Sequence, residues 1–133
     1  MKRYNPSEIE PKWQQIWTED NRYKAVDFDD KPKYYVTGMF PYPSGAGMHA
    51  GHFMEHSIVD AVARFRRSLG YNVLYPMGWD SFGLPAENYA IKTGKPPKQT
   101  VPENIANFKN QLRRVGTDRK STRLNSSHTN LSR

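Results

Sequence analysis

Apolar and polar positions along this chain follow two different periods, and the places where the period changes mark its elements. Ile9, Trp13, Ile16 and Trp17 recur at helical spacing. They predict a first helix over 6–17 that docks by one stripe, with Ser7 as N-cap and Glu10 closing a capping box. Asp20 to Lys33 is a charged connection in which Phe28 is the one residue expected to point inward. Residues 34–40 are apolar, aromatic and β-branched, which predicts a strand. That strand stops at Pro41-Tyr42-Pro43-Ser44-Gly45-Ala46-Gly47, and a long helical pattern from about His49 to Leu69 begins directly after it. Ile58, Val62, Phe65 and Leu69, joined by Val59 and Ala61, are its expected buried face. Arg64, Arg66 and Arg67 read as a solvated cluster compensating the negative dipole end, with Gly70 as the stop. Residues 71–77 predict a second strand ended by proline. Residues 85–92 predict a short helix, and Pro96-Pro97 breaks the chain. A last helix is expected to start with Thr100 as cap, Pro102 early and Glu103 closing a capping box. Its buried stripe would be Ile105, Phe108 and Leu112, with Val115 at the end.

Strand, crossover helix and strand make a parallel, right-handed βαβ unit. The fold class is therefore α/β. The loop at 41–47 then lies past the carboxyl end of the first strand, and 78–87 past that of the second. Open α/β sheets bind ligands in the crevice at those ends, so the two segments converge on one site.

The chemistry expected there is that of a nucleotide. A glycine loop opening a helix presents free N–H groups and the positive dipole end to phosphate. His49 and His52 stand three apart in the opening turn, so both rings project from one face and each can donate to a phosphate oxygen. Gly51 between them would let a flat purine approach the backbone. Ordinary, partly exposed histidines are the alternative. Asp80 lies between Trp79 and Phe82 in an apolar segment, where a carboxylate is costly unless it meets a cation. An amino-acid ammonium is such a cation; a turn-capping aspartate is the alternative.

Two rival motifs overlap this stretch. His52-Phe53-Met54-Glu55-His56 fits H-x-x-E-H, a zinc peptidase pattern that needs a third ligand, for which Glu87 and Glu103 are the distant candidates before the tail. Gly45-Ala46-Gly47 suggests a dinucleotide loop, but Gly51 falls one place late for G-x-G-x-x-G.

His49-Ala50-Gly51-His52 resembles the His-x-Gly-His signature of class I aminoacyl-tRNA synthetases. Pro41-Tyr42-Pro43-Ser44-Gly45 before it and Gly78-Trp79-Asp80-Ser81-Phe82-Gly83-Leu84-Pro85-Ala86-Glu87 after it narrow the resemblance to the leucyl-tRNA synthetase family. The resemblance implies that 1–117 is the N-terminal part of a Rossmann-like, nucleotide-binding catalytic domain. It implies ATP, carried with Mg²⁺, leucine and tRNA(Leu) as partners, in the cytoplasm, with no structural metal in this stretch. His49 and His52 would be the catalytic histidines on the phosphates, Gly51 would lie under adenine, and Asp80 would take the leucine ammonium. The backbone of Phe40 and the ring of Tyr42 would line the same pocket. Ala50 stands at the signature's variable position, and His56 replaces what is commonly a tyrosine. The family's lysine-rich catalytic loop, editing domain and anticodon-binding helices are not in these residues. The resemblance thus implies an active parent ligase and an inactive fragment; a non-catalytic nucleotide- or RNA-binding paralogue is the further alternative.

Composition adds boundaries. A chain of 133 residues allows one domain with one modest core, burying about two-thirds of its unfolded surface. There is no cysteine, which excludes disulfides and thiolate zinc sites and agrees with a reducing compartment. No apolar run approaches the roughly 18–20 residues of a membrane span, and the N-terminus has no apolar core behind its charges, so neither an anchor nor a signal peptide is expected. The net charge of +7 suggests a polyanion partner, yet 118–133 carry four basic residues and one acidic, leaving 16 basic and 12 acidic, or +4, on 1–117. The segment Asp118-Arg119-Lys120-Ser121-Thr122-Arg123-Leu124-Asn125-Ser126-Ser127-His128 has no period and resembles the conceptual translation of a common short-read sequencing adapter. A non-native, disordered tail over 118–133 is the expectation.

Overall fold

Proline, rather than serine, decides where the first helix begins. In a computed structural model that describes residues 3–20 and 23–117, α1 spans Pro6–Glu19. Pro6, with its φ already helical, occupies the first position, so Asn5 becomes the N-cap and no side chain caps it. The expected Ser7 capping box is not formed. α1 buries no residue fully: Trp17 is half-buried against Tyr23 (ring centroids 6.1 Å apart), whereas Trp13 is exposed. The connection after it is held by Asn72, whose side chain accepts from the Val26 N–H at 3.1 Å and donates to the Val26 carbonyl at 2.6 Å. Phe28, expected inside, is 96% exposed and sits at φ 61°.

The sheet is a parallel pair of β1 (Lys33–Tyr35) and β2 (Asn72–Leu74), in register Lys33↔Asn72, Tyr34↔Val73 and Tyr35↔Leu74. Both strands are shorter than the apolar runs that predict them. Toward the carboxyl ends the ladder reaches one bond further, from the Val36 N–H to the Leu74 carbonyl at 3.1 Å. Past that point Met39 gives its N–H to a side chain instead of a strand, and Pro76 has no N–H to give.

Between the strands runs the crossover helix α2 (Ala50–Ser68). Its inward face is His56, Val59, Asp60 and Ala63, which shares Val59 with the expected face but not Ile58, Phe65 or Leu69. Ala63 and Val59 pack on Val73, Tyr75, Tyr34 and Val36, where small and branched side chains let helix and strands approach closely. Ile58 and Phe65 are each 60% exposed, and Leu69 is also exposed. Gly70, at φ +87°, ends the helix: its N–H reaches the Arg67 carbonyl and that of Tyr71 reaches Arg66, the paired bonds of a Schellman turn.

The arginines of the last turns are not a solvated cluster. Arg64 Nε pairs with Asp60 at 2.7 Å, its other nitrogens donate to the Tyr23 hydroxyl and the Gly116 carbonyl, and its guanidinium lies over the rings of Trp17 and Tyr23. Arg66 covers Tyr34 and Tyr71, and Arg67 donates to the carbonyls of Tyr23 and Val73. These side chains bind the N-terminal connection, the sheet and the C-terminal turn together.

α3 (Leu84–Thr93) starts after Gly83 at φ +91° and ends at Gly94 in the left-handed region. α4 (Pro97–Arg114) begins earlier than expected, because Pro97 is its first residue and Pro96 its N-cap. Thr100 is therefore buried in the second turn instead of capping, and Glu103 faces solvent near Lys95. Phe108 and Leu112 are fully buried as expected, Ile105 packs beside them, and Val115 is exposed. With Met48 and Trp79 they form a second core cluster, on the motif side of the sheet ends. The expected tail, 118–133, lies outside the described residues. Among those residues no helix is long and apolar enough to cross a membrane.

Candidate active site

The loop before α2 has few apolar side chains, so something other than a core must hold it. That support is a polar stripe of α4. Asn104 donates to the Pro43 carbonyl at 2.8 Å, Asn107 donates to the Ala46 carbonyl, and Gln111 accepts the Met48 N–H at 2.8 Å. Residues 104, 107 and 111 share one helical face, and each amide offers a donor and an acceptor. Met48 is buried beside Phe108 and Leu112, which fixes the residue just before the first histidine. The sequence reading missed these three amides. Their spacing beside the apolar stripe was the available signal.

His49 is the N-cap of α2, and the cap is reciprocal. His49 Nδ1 accepts the N–H of His52 at 3.4 Å, while His52 Nδ1 accepts the N–H of His49 at 3.3 Å. The rings stack with centroids 3.7 Å apart. With both Nδ1 atoms acting as acceptors, the neutral rings carry their protons on Nε2. Each histidine therefore keeps one N–H donor for a ligand. Burial pushes the His52 pKa below its usual 6.5 and the neighbouring His49 lowers it further, with Glu55 opposing. A donor that stays neutral suits this cap, since protonation at Nδ1 would remove the acceptor. A side chain at Gly51 would first meet His49 itself, at 3.0 Å from Cε1. In this structure the glycine lets His49 fold back into its cap.

The second segment meets the first through backbone. The Asp80 N–H donates to the Pro41 carbonyl at 3.1 Å. Gly78 supports the Phe40 ring so closely that a Cβ would stand 2.7 Å from it. Trp79 is buried edge-on against Phe108 at 5.8 Å. Between the segments lies a cavity of about 450 Å³ lined by Phe40, Tyr42, His52 and Asp80, with Met39, Glu55, Trp79 and Phe82 among its walls. Four of the expected residues thus share one pocket. His49 and Gly51 lie outside that lining. A larger groove of about 700 Å³ between α1 and the end of α4 holds none of the motif residues.

The zinc arrangement is not assembled. The Glu55 carboxylate accepts the Met39 N–H. His56 is 1% exposed, with Nδ1 3.3 Å from the Tyr75 hydroxyl, and burial lowers its pKa. His52 is engaged in the cap. Among the described residues no three His, Asp or Glu side chains are grouped to hold a metal.

The chain thus presents a parallel βαβ crossover with a histidine-capped helix and a pocket beyond both strand ends, and comparison with known proteins gives its class. The profile of tRNA synthetases class I (I, L, M and V) matches residues 12–131, and the chain belongs to that family. Within it the similarity runs to leucine--tRNA ligases. The leucine--tRNA ligase of Chlamydia felis is 58% identical over 114 residues, which are 86% of this chain and 14% of the relative. That of Pelodictyon phaeoclathratiforme is 59% identical over the same length and shares. The LeuRS of Agrobacterium radiobacter, solved in a ternary complex with tRNA and LeuAMS, superposes with a TM-score of 0.85 at 39% identity, covering 89% of this chain and 15% of that one. Mycobacterium tuberculosis methionyl-tRNA synthetase, in complex with methionyl-adenylate, gives 0.64 at 31% identity, covering 68% of this chain and 18% of that one. The chain spans about one-seventh of the length of the curated relatives it matches.

Proposed function

We propose that the longer protein containing this chain activates leucine with ATP and transfers it to tRNA(Leu) in the cytoplasm, and that residues 1–117 form the N-terminal part of its catalytic domain. The observation that carries this reading is the pocket joining Asp80 to His52 at the N-terminus of α2. In the reaction a leucine carboxylate oxygen attacks the α-phosphorus of ATP, a P–O bond forms, and the bond to pyrophosphate breaks. Both reactants are anions, so catalysis consists of orienting them and neutralising developing charge, without a covalent enzyme intermediate. Asp80 holds the leucine ammonium, and the backbone of Phe40 and the ring of Tyr42 complete the amino-acid side. His49 and His52 donate their Nε2–H groups to the phosphates, aided by the helix dipole. Adenine lies over Gly51, and Mg²⁺ arrives as the ATP complex. The isolated chain is inactive in this reading, and 118–133 are read as non-native from their lack of period, against a family profile that runs on to residue 131; the genomic sequence after Thr117 would check it.

The test is pyrophosphate exchange by the full-length protein. Labelled pyrophosphate enters ATP when leucine is present and not with isoleucine, valine or methionine. Exchange with one of those instead, or none with a folded protein that still binds ATP or RNA, contradicts the reading; the second result favours a non-catalytic paralogue.

A further inference from the structure

Glu55 takes no part in the chemistry above, yet its carboxylate ties α2 to the segment that follows β1. Its carboxylate accepts the Met39 N–H, at the point where the β1 ladder has already ended at Val36. A strand neighbour would ordinarily satisfy that N–H. Gly38 makes the approach possible: a Cβ there would lie 3.1 Å from Glu55 Oε1, with His56 Nδ1 and Val59 Cγ2 at 3.5 Å behind it. Phe40 follows directly, its ring seated on Gly78. The residue is thus held from two sides, by a charge-assisted bond to the preceding peptide and by a glycine under its ring. Glu55 itself lines the cavity, three residues on from His52 and on the same face of α2.

Resting on the reading of this pocket as the leucine site, we infer that Glu55 is a positioning residue for the amino acid: it fixes the Gly38–Met39 peptide and so sets the backbone of Phe40 that leucine meets. What Glu55 must supply is an acceptor at that place, not a base and not a metal ligand. A purely structural role would lower stability without separating one substrate from the other.

Steady-state pyrophosphate exchange by the full-length protein tests this with Glu55→Ala, Glu55→Gln and Gly38→Ala, each with a melting curve. Glu55→Ala raises the leucine KM about tenfold or more, as loss of a hydrogen bond to a charged group implies, while kcat and the ATP KM stay within about twofold. Glu55→Gln keeps an acceptor and recovers most of the leucine KM. Gly38→Ala, which displaces the carboxylate by a few tenths of an ångström, also raises the leucine KM and carries the test if Glu55→Ala fails to fold. An unchanged leucine KM in a folded variant, an equal rise in the ATP KM, or a glutamine variant no better than alanine overturns the inference. A wild-type protein with no leucine-dependent exchange overturns the functional reading itself, which an active wild type with indifferent variants does not.

Discussion

The two ends of α2 both carry basic residues, and they use them in opposite ways. At the N-terminus His49 and His52 satisfy each other's backbone N–H through Nδ1 and keep Nε2–H for a ligand. At the C-terminus Arg64 and Arg67 donate to carbonyls, a hydroxyl and a carboxylate, and Arg66 lies over the rings of Tyr34 and Tyr71. Charge at a helix end is therefore not by itself a sign of a binding surface. What distinguishes the two ends is what the side chains hold: the histidines cap their own helix beside the crevice, while the arginines join distant parts of the chain.

That contrast breaks if the arginine end proves functional or the histidine end proves merely structural. The largest stability effect is expected from Arg64→Ala, which removes the ion pair with Asp60 and the donor to the Gly116 carbonyl. Unfolding measurements should show a loss of about 3 kcal/mol, at the low end for such a pair because Arg64 is about a third open to solvent. The leucine KM of the surviving enzyme should not change; a shift would give the arginine end a role at the site. Gln111→Ala should cost about 1–3 kcal/mol by leaving the part-buried Met48 N–H unpaired, and because Met48 precedes the capped histidine it should also slow adenylate formation. Stability without a rate effect would detach α4 from the site. Arg66→Lys keeps charge and loses the flat face over Tyr34 and Tyr71, for about 0.5–1 kcal/mol and no kinetic change.

Acid sharpens the comparison from the other side. His52 and His56 both have pKa values below the usual 6.5, each chiefly through burial. The unfolded chain then binds more protons than the folded one just below 6.5, so their contribution is fully present above that value. It is lost as pH falls from there through the folded values. Melting temperature should drop with acid in that window, and His56→Gln should flatten the dependence. A profile that rises with acid would contradict the neutral assignment of the rings.

Much of this arrangement was legible in the residues. The order of strand, glycine loop, helix and strand defines the parallel crossover, and that topology alone brings 41–47 and the start of 78–87 to one crevice. The stripe of Phe108 and Leu112 was equally plain, since nothing competes with two large apolar residues four apart. The face of α2 was not legible. Ile58, Phe65 and Leu69 outweigh Val59 and Ala63 by size, but contact with a pair of strands selects for close approach, and small residues win. Capping failed at Ser7 and Thr100 for one reason: a proline upstream, Pro6 directly before Ser7 and Pro97 three residues before Thr100, starts the helix earlier. The arginines and the amides of α4 were hidden because their partners are distant in sequence; Arg64 and Gly116 stand 52 residues apart.

The central claim is that His52 acts on charge that develops in the reaction, while Asp80 holds charge already present. Single-turnover formation of leucyl-adenylate by the full-length protein at saturating leucine tests it most directly. His52→Ala should slow the chemical step by about a hundred- to a thousand-fold, the usual cost of one preorganised donor, with little effect on leucine binding. Asp80→Ala should mainly weaken leucine binding and leave the step much less affected, because the ammonium is charged in ground and transition states alike. A kinetically silent His52→Ala beside an Asp80→Ala that abolishes the chemical step alone would contradict the account.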